Sequence, residues 1–190
     1  MASSPVPLTD VFFDFGGTLF SYAALAGQAF DLVTRAAERL GIEAPAAELG
    51  RALAQASRAS WGHFAGRSYY LHRDLFQDAF RRWAQTLGAE PDQACLDWMH
   101  EQQRTALLER FTLREGCLET LRELRARGLQ LSIVSNIDDD YLHPMLERAG
   151  LDALLHHWSS SEEARSCKPD PGFFHYACRK AGCAPTQVLF

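Results

Sequence analysis

Val11-Phe12-Phe13-Asp14-Phe15-Gly16-Gly17-Thr18-Leu19 is the stretch on which the reading of this chain turns. Leu8–Phe15 is an apolar, aromatic-rich run that stops at two glycines, the pattern of a buried strand entering a tight turn. Asp14 falls at the carboxyl end of that strand, where a carboxylate faces the crevice in which open parallel sheets bind ligands. Gly16 and Gly17 let backbone amides approach an anion, and Thr18 adds a hydroxyl donor. The same residues also suit a plainer role, a strand-end Asp capping a glycine turn.

Two more strand ends carry chemistry. Cys117, Leu118, Leu121 and Leu124 space as a helix that stops at Gly128, and Leu129–Ser135 follows as a near-continuous apolar strand. It ends at Ser135-Asn136, before a helix over Asp138–Ala149 closed by Gly150. A serine hydroxyl and free amides at a helix start make an anion site; Ser and Asn also serve as ordinary N-caps. Asp138, Asp139 and Asp140 read as solvated first-turn acids that suit the helix dipole. A third strand is expected over Leu154–Ser159, with His156 and His157 on its two faces. Lys168-Pro169-Asp170-Pro171 follows it and opens a helix over Pro171–Ala181. A cation there could neutralise both an attacking carboxylate and an anionic substrate, or be a surface lysine in a proline-rich turn. Gln187–Phe190 opens a fourth strand, and the chain stops within it, so it reads as C-terminally truncated.

Between the first and second of these ends lies an all-helical block. Leu25, Ala29, Leu32, Val33, Ala36 and Leu40 form one stripe, stopped by Gly41. A second helix starts at Pro45 and weakens around Ser57–Gly62. Leu71, Leu75, Phe76, Ala79, Phe80, Trp83 and Leu87 form a third, stopped by Gly88, and Pro91 opens a fourth that carries Trp98 and Met99. Strands alternating with helices imply right-handed crossovers and a parallel sheet. The fold class is therefore α/β: a Rossmann-like parallel sheet core in two pieces, 1–20 and 107–190, with a helical insertion over 21–106.

Composition removes several function classes. In 190 residues, 47% hydrophobic and 23% charged content excludes a disordered or collagen-like chain. No apolar run approaches the about 20 residues of a membrane span, and Met1–Pro7 lacks the parts of a signal peptide. A net charge of −5 argues against nucleic acid as a partner. The cysteines (Cys95, Cys117, Cys167, Cys178 and Cys183) are odd in number with no C-x-x-C pair, which implies free thiols in a reducing, cytoplasmic setting. Of 19 basic residues only Lys168 and Lys180 are lysines. Lysine offers a compact point charge where arginine offers a wide fork, which singles out Lys168.

The three strand ends, in this order, resemble the motifs of the haloacid dehalogenase superfamily over nearly the whole chain. Val11–Leu19 is similar to its first motif, Ile133-Val134-Ser135-Asn136 to its second and Cys167–Pro171 to its third; the insertion resembles its helical cap. The resemblance implies a Mg²⁺-dependent phosphatase. Asp14 would be the nucleophile that forms an aspartyl-phosphate, with Thr18, Ser135 and Lys168 holding the phosphate and Gly17 and Asn136 beside it. Asp14 and the Gly16 carbonyl would be metal ligands. Phosphoryl transfer needs positioning and charge neutralisation above all, which agrees with the residues themselves.

This sequence departs from the family pattern twice. Gly16 stands where the family has a second Asp, its general acid/base. The acidic fourth motif, expected after Val188-Leu189-Phe190, lies outside the sequence, so these 190 residues alone are expected to be inactive. The resemblance also sorts the subfamilies. Phosphonatases use a cap lysine, and none lies between 21 and 106; 2-haloacid dehalogenases carry tyrosines where Gly16 and Phe174 stand here. The expectation is a phosphatase of a small phosphorylated metabolite, without nucleic acid or membrane partners. A non-catalytic binding protein is the rival, and a 2-haloacid dehalogenase a further one. Trp61–Arg67 is the candidate for substrate selection.

Overall fold

The computed structural model describes residues 6–23 and 28–190, with the backbone alone for 28 and 29. Leu25 and the Ala29 side chain, the first positions of the expected helical stripe, lie outside the described residues. The chain divides into two compact units, Tyr22–Phe111 and the pair Met1–Ser21 with Thr112–Phe190.

Tyr22–Phe111 is helical: α1 (Gln28–Leu40), α2 (Ala46–Phe64), α3 (His72–Thr86) and α4 (Gln93–Arg110). Asp92 caps α4 by accepting the Cys95 amide at 2.8 Å. Gly41 (φ 66°), just past α1, takes a left-handed conformation that side chains avoid. Val33 and Ala36, Leu49 and Ala52, Phe80 and Trp83, and Leu96 bring apolar stripes of all four helices into one core. Trp83 is fully buried, so its indole N–H needs a partner and finds the Leu49 carbonyl at 3.2 Å. α2 does not weaken at Ser57–Gly62. Ser60 is buried there and donates to Asp78 Oδ2 of α3 at 2.7 Å, where Arg82 also binds at 2.7 Å. That partner makes a polar residue acceptable on the core face. α4 runs to Arg110, past the expected end at 106, and the buried Phe111 closes it with a bond to the Leu107 carbonyl at 2.9 Å.

The other unit is a parallel sheet of β1 (Asp10–Phe13), β4 (Gln130–Ser135), β5 (His157–Ser160) and β6 (Val188–Leu189), in the order β5-β4-β1-β6. A two-stranded antiparallel ribbon, β2 (Phe20–Ser21) with β3 (Thr112–Leu113), joins the outgoing and returning chain. α5 (Cys117–Ala126), α6 (Asp139–Ala149), a single turn α7 (Ser161–Ala164) and α8 (Pro171–Ala181) connect the strands. Phe12 of β1, Val134 of β4 and Phe173 and Ala177 of α8 pack together. Ser135 pairs with Ser160, so β4 and β5 end level, while Phe13, the last residue of β1, pairs with Ile133, so β4 runs on past it beside Asp14.

Several local expectations are corrected. β1 is shorter than Leu8–Phe15. β5 begins at His157 because Leu154 and Leu155 turn back onto the Leu151 carbonyl, at 2.9 and 3.0 Å. His156 sits just before β5. Its Nδ1 accepts the Leu131 amide at 3.0 Å, and burial with Arg125 nearby holds its pKa below the usual histidine value. Asp138 is buried, not solvated, and its two neighbours are half-buried. The reason is α7, which the sequence pattern missed: Ser161 Oγ accepts the Ile137 amide at 3.1 Å and Glu162 the Asp139 amide at 2.7 Å, covering the start of α6. The cysteines are free thiols, four of them buried. Among the described residues no helix is long and apolar enough to cross a membrane.

Candidate active site

Asp14 follows the last residue of β1, and the end of β4 and the loop after α7 bring two donors to it. Ser135 Oγ donates to Asp14 Oδ1 at 2.8 Å, and Lys168 Nζ donates to the same oxygen at 2.8 Å. Lys168, in the loop between α7 and α8, also donates to the Val134 carbonyl at 2.9 Å. The Lys168 side chain is 17% exposed and that of Asp14 34%, so the pair is sheltered while the carboxylate stays reachable. Charge-assisted bonds of this kind are short and strong. Both fall on Oδ1; Oδ2 accepts none from the described residues. One carboxylate oxygen is anchored and the other is unengaged by the described residues.

The turn behind Asp14 is tightly bonded. The Phe15 carbonyl receives the amides of Thr18, Leu19 and Phe20 at 3.3, 2.9 and 3.2 Å. The Gly17 amide goes to the Phe20 carbonyl at 3.0 Å, so it is spent within the turn. What this position needs from glycine is its left-handed backbone, φ 79°. Gly16 lies outside that region. Thr18 is exposed, and its hydroxyl has no partner among the described residues. Phe15 N–H lies 3.4 Å from Ser135 Oγ. Arg114, just past β3, clamps the Gly17 carbonyl with Nε at 3.0 Å and Nη2 at 2.7 Å. The sequence carried no sign of this contact, which spans 97 positions.

Asn136 turns its carboxamide to Lys168, accepting the Lys168 amide at 2.7 Å and donating to its carbonyl at 3.0 Å. The Phe190 ring lies 5.0 Å from Lys168 Nζ and packs edge-on against Phe174 at 5.3 Å. In the helical unit, Trp61–Phe64 finish α2. Arg67 stacks on Phe64 at 4.3 Å and lies 2.6 Å from His63 Nε2, while Trp61 is exposed.

No group of three or more His, Cys, Asp or Glu side chains that could hold a metal occurs among the described residues. The donors near Asp14 still suit Mg²⁺, a hard cation that takes one or two carboxylates, keeps several waters and draws the rest from substrate phosphate. The Asp14 carboxylate and the Gly16 carbonyl are the oxygens it would use.

A family profile described as haloacid dehalogenase-like hydrolase matches residues 11–190. A phosphoglycolate phosphatase of Thiobacillus denitrificans is 26% identical over 193 residues, covering 100% of this chain and 76% of that protein. The (S)-2-haloacid dehalogenase 4A of Burkholderia cepacia is 35% identical over 72 residues, 38% of this chain, and the match spans 31% of the relative's length. A phosphoglycolate phosphatase of Haemophilus influenzae is likewise matched over only 32% of its length. Among solved structures, the L-2-haloacid dehalogenase of Xanthobacter autotrophicus aligns with a TM-score of 0.64 and 26% identity, over 96% of this chain and 69% of that one.

Proposed function

The chain belongs to the haloacid dehalogenase-like hydrolases, and from that premise we propose that it is a phosphatase of a small phosphate ester, acting through an aspartyl-phosphate on Asp14. The observation that carries this reading is the double anchoring of Asp14 Oδ1 by Lys168 and Ser135, both at 2.8 Å, with Oδ2 unengaged. Resemblance to phosphoglycolate phosphatases supports it.

In this reading Oδ2 attacks phosphorus, the ester P–O bond breaks, and the leaving oxygen takes its proton from water, since Gly16 has no acid to give. Lys168 offsets charge on the carboxylate and the incoming phosphate; Ser135 holds the carboxylate rotamer. Thr18, exposed in the turn after Asp14, would bind a phosphate oxygen. Mg²⁺ at Asp14 and the Gly16 carbonyl would further neutralise the phosphate. Water then cleaves the aspartyl-phosphate and regenerates Asp14.

One observation favours a second reading. A halide leaves carbon without being protonated, so a missing acid at Gly16 costs a dehalogenase nothing in its first step, and the Burkholderia relative bears that name. The two readings separate in one assay, in which the chain, extended through the fourth motif expected after Phe190, is given aryl and alkyl phosphates with Mg²⁺, and 2-chloropropionate. Phosphate release that EDTA abolishes is expected. Chloride release without phosphate release would overturn the phosphatase reading.

A further inference from the structure

We infer that Asn136 is a positioning residue: it acts on the chemistry by fixing the backbone of Lys168, and not by touching substrate. Lys168 sits in a connecting loop with no strand partner of its own. Its ammonium ends a flexible four-carbon stem, which finds Asp14 only from a fixed starting point. Asn136 supplies that point. Its Oδ1 accepts the Lys168 amide at 2.7 Å and its Nδ2 donates to the Lys168 carbonyl at 3.0 Å, so one side chain satisfies both backbone groups of one residue across 32 positions. Only one orientation of the carboxamide fits, because the amide needs an acceptor and the carbonyl a donor.

Asn136 is itself held by its neighbour. Ser135 is the last residue of β4, in register with Ser160, and gives its hydroxyl to Asp14. Both donors to Asp14 Oδ1 thus depend on the end of β4: Ser135 directly, Lys168 through the side chain of the next residue. The Val134 carbonyl, 2.9 Å from Lys168 Nζ, adds a third contact from the same strand end. This role rests on the reading of Asp14 as nucleophile, but the geometry can be tested without any reaction.

The chain has only two lysines, so ¹³Cε-labelled lysine gives an NMR spectrum with two signals. Lys180, held by Glu163 at 2.6 and 2.7 Å and by the Trp158 carbonyl at 2.7 Å, is the internal control. Asp14→Asn identifies the Lys168 signal and the direction in which losing its partner moves it. Asn136→Ala should move the Lys168 signal the same way and leave Lys180 in place. It should also lower kcat about a hundredfold with KM little changed, as a misplaced group does. If the alanine variant does not fold, Asn136→Ser, too short to span both backbone groups, serves with the same readout. A Lys168 signal that stays at its wild-type position overturns the inference whatever happens to kcat. A raised KM with unchanged kcat also overturns it, because that marks a substrate contact. If the chain extended through the fourth motif releases no phosphate from any ester while the Lys168 signal moves, the phosphatase reading fails and the positioning role stands.

Discussion

Lys168 reaches Asp14 across 154 positions of sequence and places its ammonium 2.8 Å from the same carboxylate oxygen that Ser135 binds. A pair so remote in the chain meets only because β1 and β4 are adjacent, and the loop after α7 returns to their carboxyl ends.

Asp14→Asn should reduce turnover to less than about one per cent while the protein stays folded, because the amide keeps an acceptor for Ser135 but is not a nucleophile. Steady-state rates with circular dichroism on the same sample check this. A folded variant with most of its activity would remove Asp14 from the reaction.

Lys168→Arg keeps the charge and should still lose about a hundredfold in kcat. The site is a slot for a point charge between Asp14 Oδ1 and the Val134 carbonyl, and the longer side chain and wider planar fork of arginine put its charge elsewhere. Wild-type kinetics from this variant would mean that only the net charge matters.

Gly16→Asp should raise turnover, and more on alkyl than on aryl phosphates. Positioned acid–base help is worth about 10²–10⁴ in rate, and a poor leaving group needs it most. The backbone there lies outside the left-handed region, so a side chain brings no φ strain. Equal rates on both ester types before and after the change would show that another group already moves the proton.

His156 sets a pH dependence of stability. Its folded pKa lies below the ordinary value of 6.5, through burial and the nearby Arg125. As pH falls below that value the unfolded chain takes up a proton that the folded chain refuses, so stability declines down to the lower, folded pKa. Urea midpoints should fall on acidification through this window. His156→Asn, which keeps an acceptor for the Leu131 amide but does not titrate, should flatten the decline. An unchanged slope would place the acid sensitivity elsewhere.

The sequence revealed the strand ends far better than what surrounds them. Asp14 and Ser135 each close an apolar run, and such runs survive in the pattern because burial on both sheet faces demands them; Lys168 stood out instead as one of only two lysines. The ribbon of β2 and β3 did not, since two-residue strands carry no period. Ser60 looked like a helix weakness because its partner, Asp78, is on another helix. Asp138 looked solvated because the cover over it, α7, is a four-residue turn with no helical stripe. Asn136 was legible as a site residue. That its carboxamide is committed to Lys168 was not, because hydrogen-bond partners 32 positions apart leave no trace in spacing.

The most direct measurement of the central claim is acid-quench trapping of the chain, extended through the fourth motif, during turnover of an aryl phosphate with Mg²⁺, followed by peptide mass mapping. With Gly16 in place of an acid/base the intermediate should hydrolyse slowly and accumulate. The expected result is one added phosphoryl group, on the peptide containing Asp14 and absent from Asp14→Asn. Phosphate release with no protein-bound phosphoryl group, or with one on any residue other than Asp14, would contradict it.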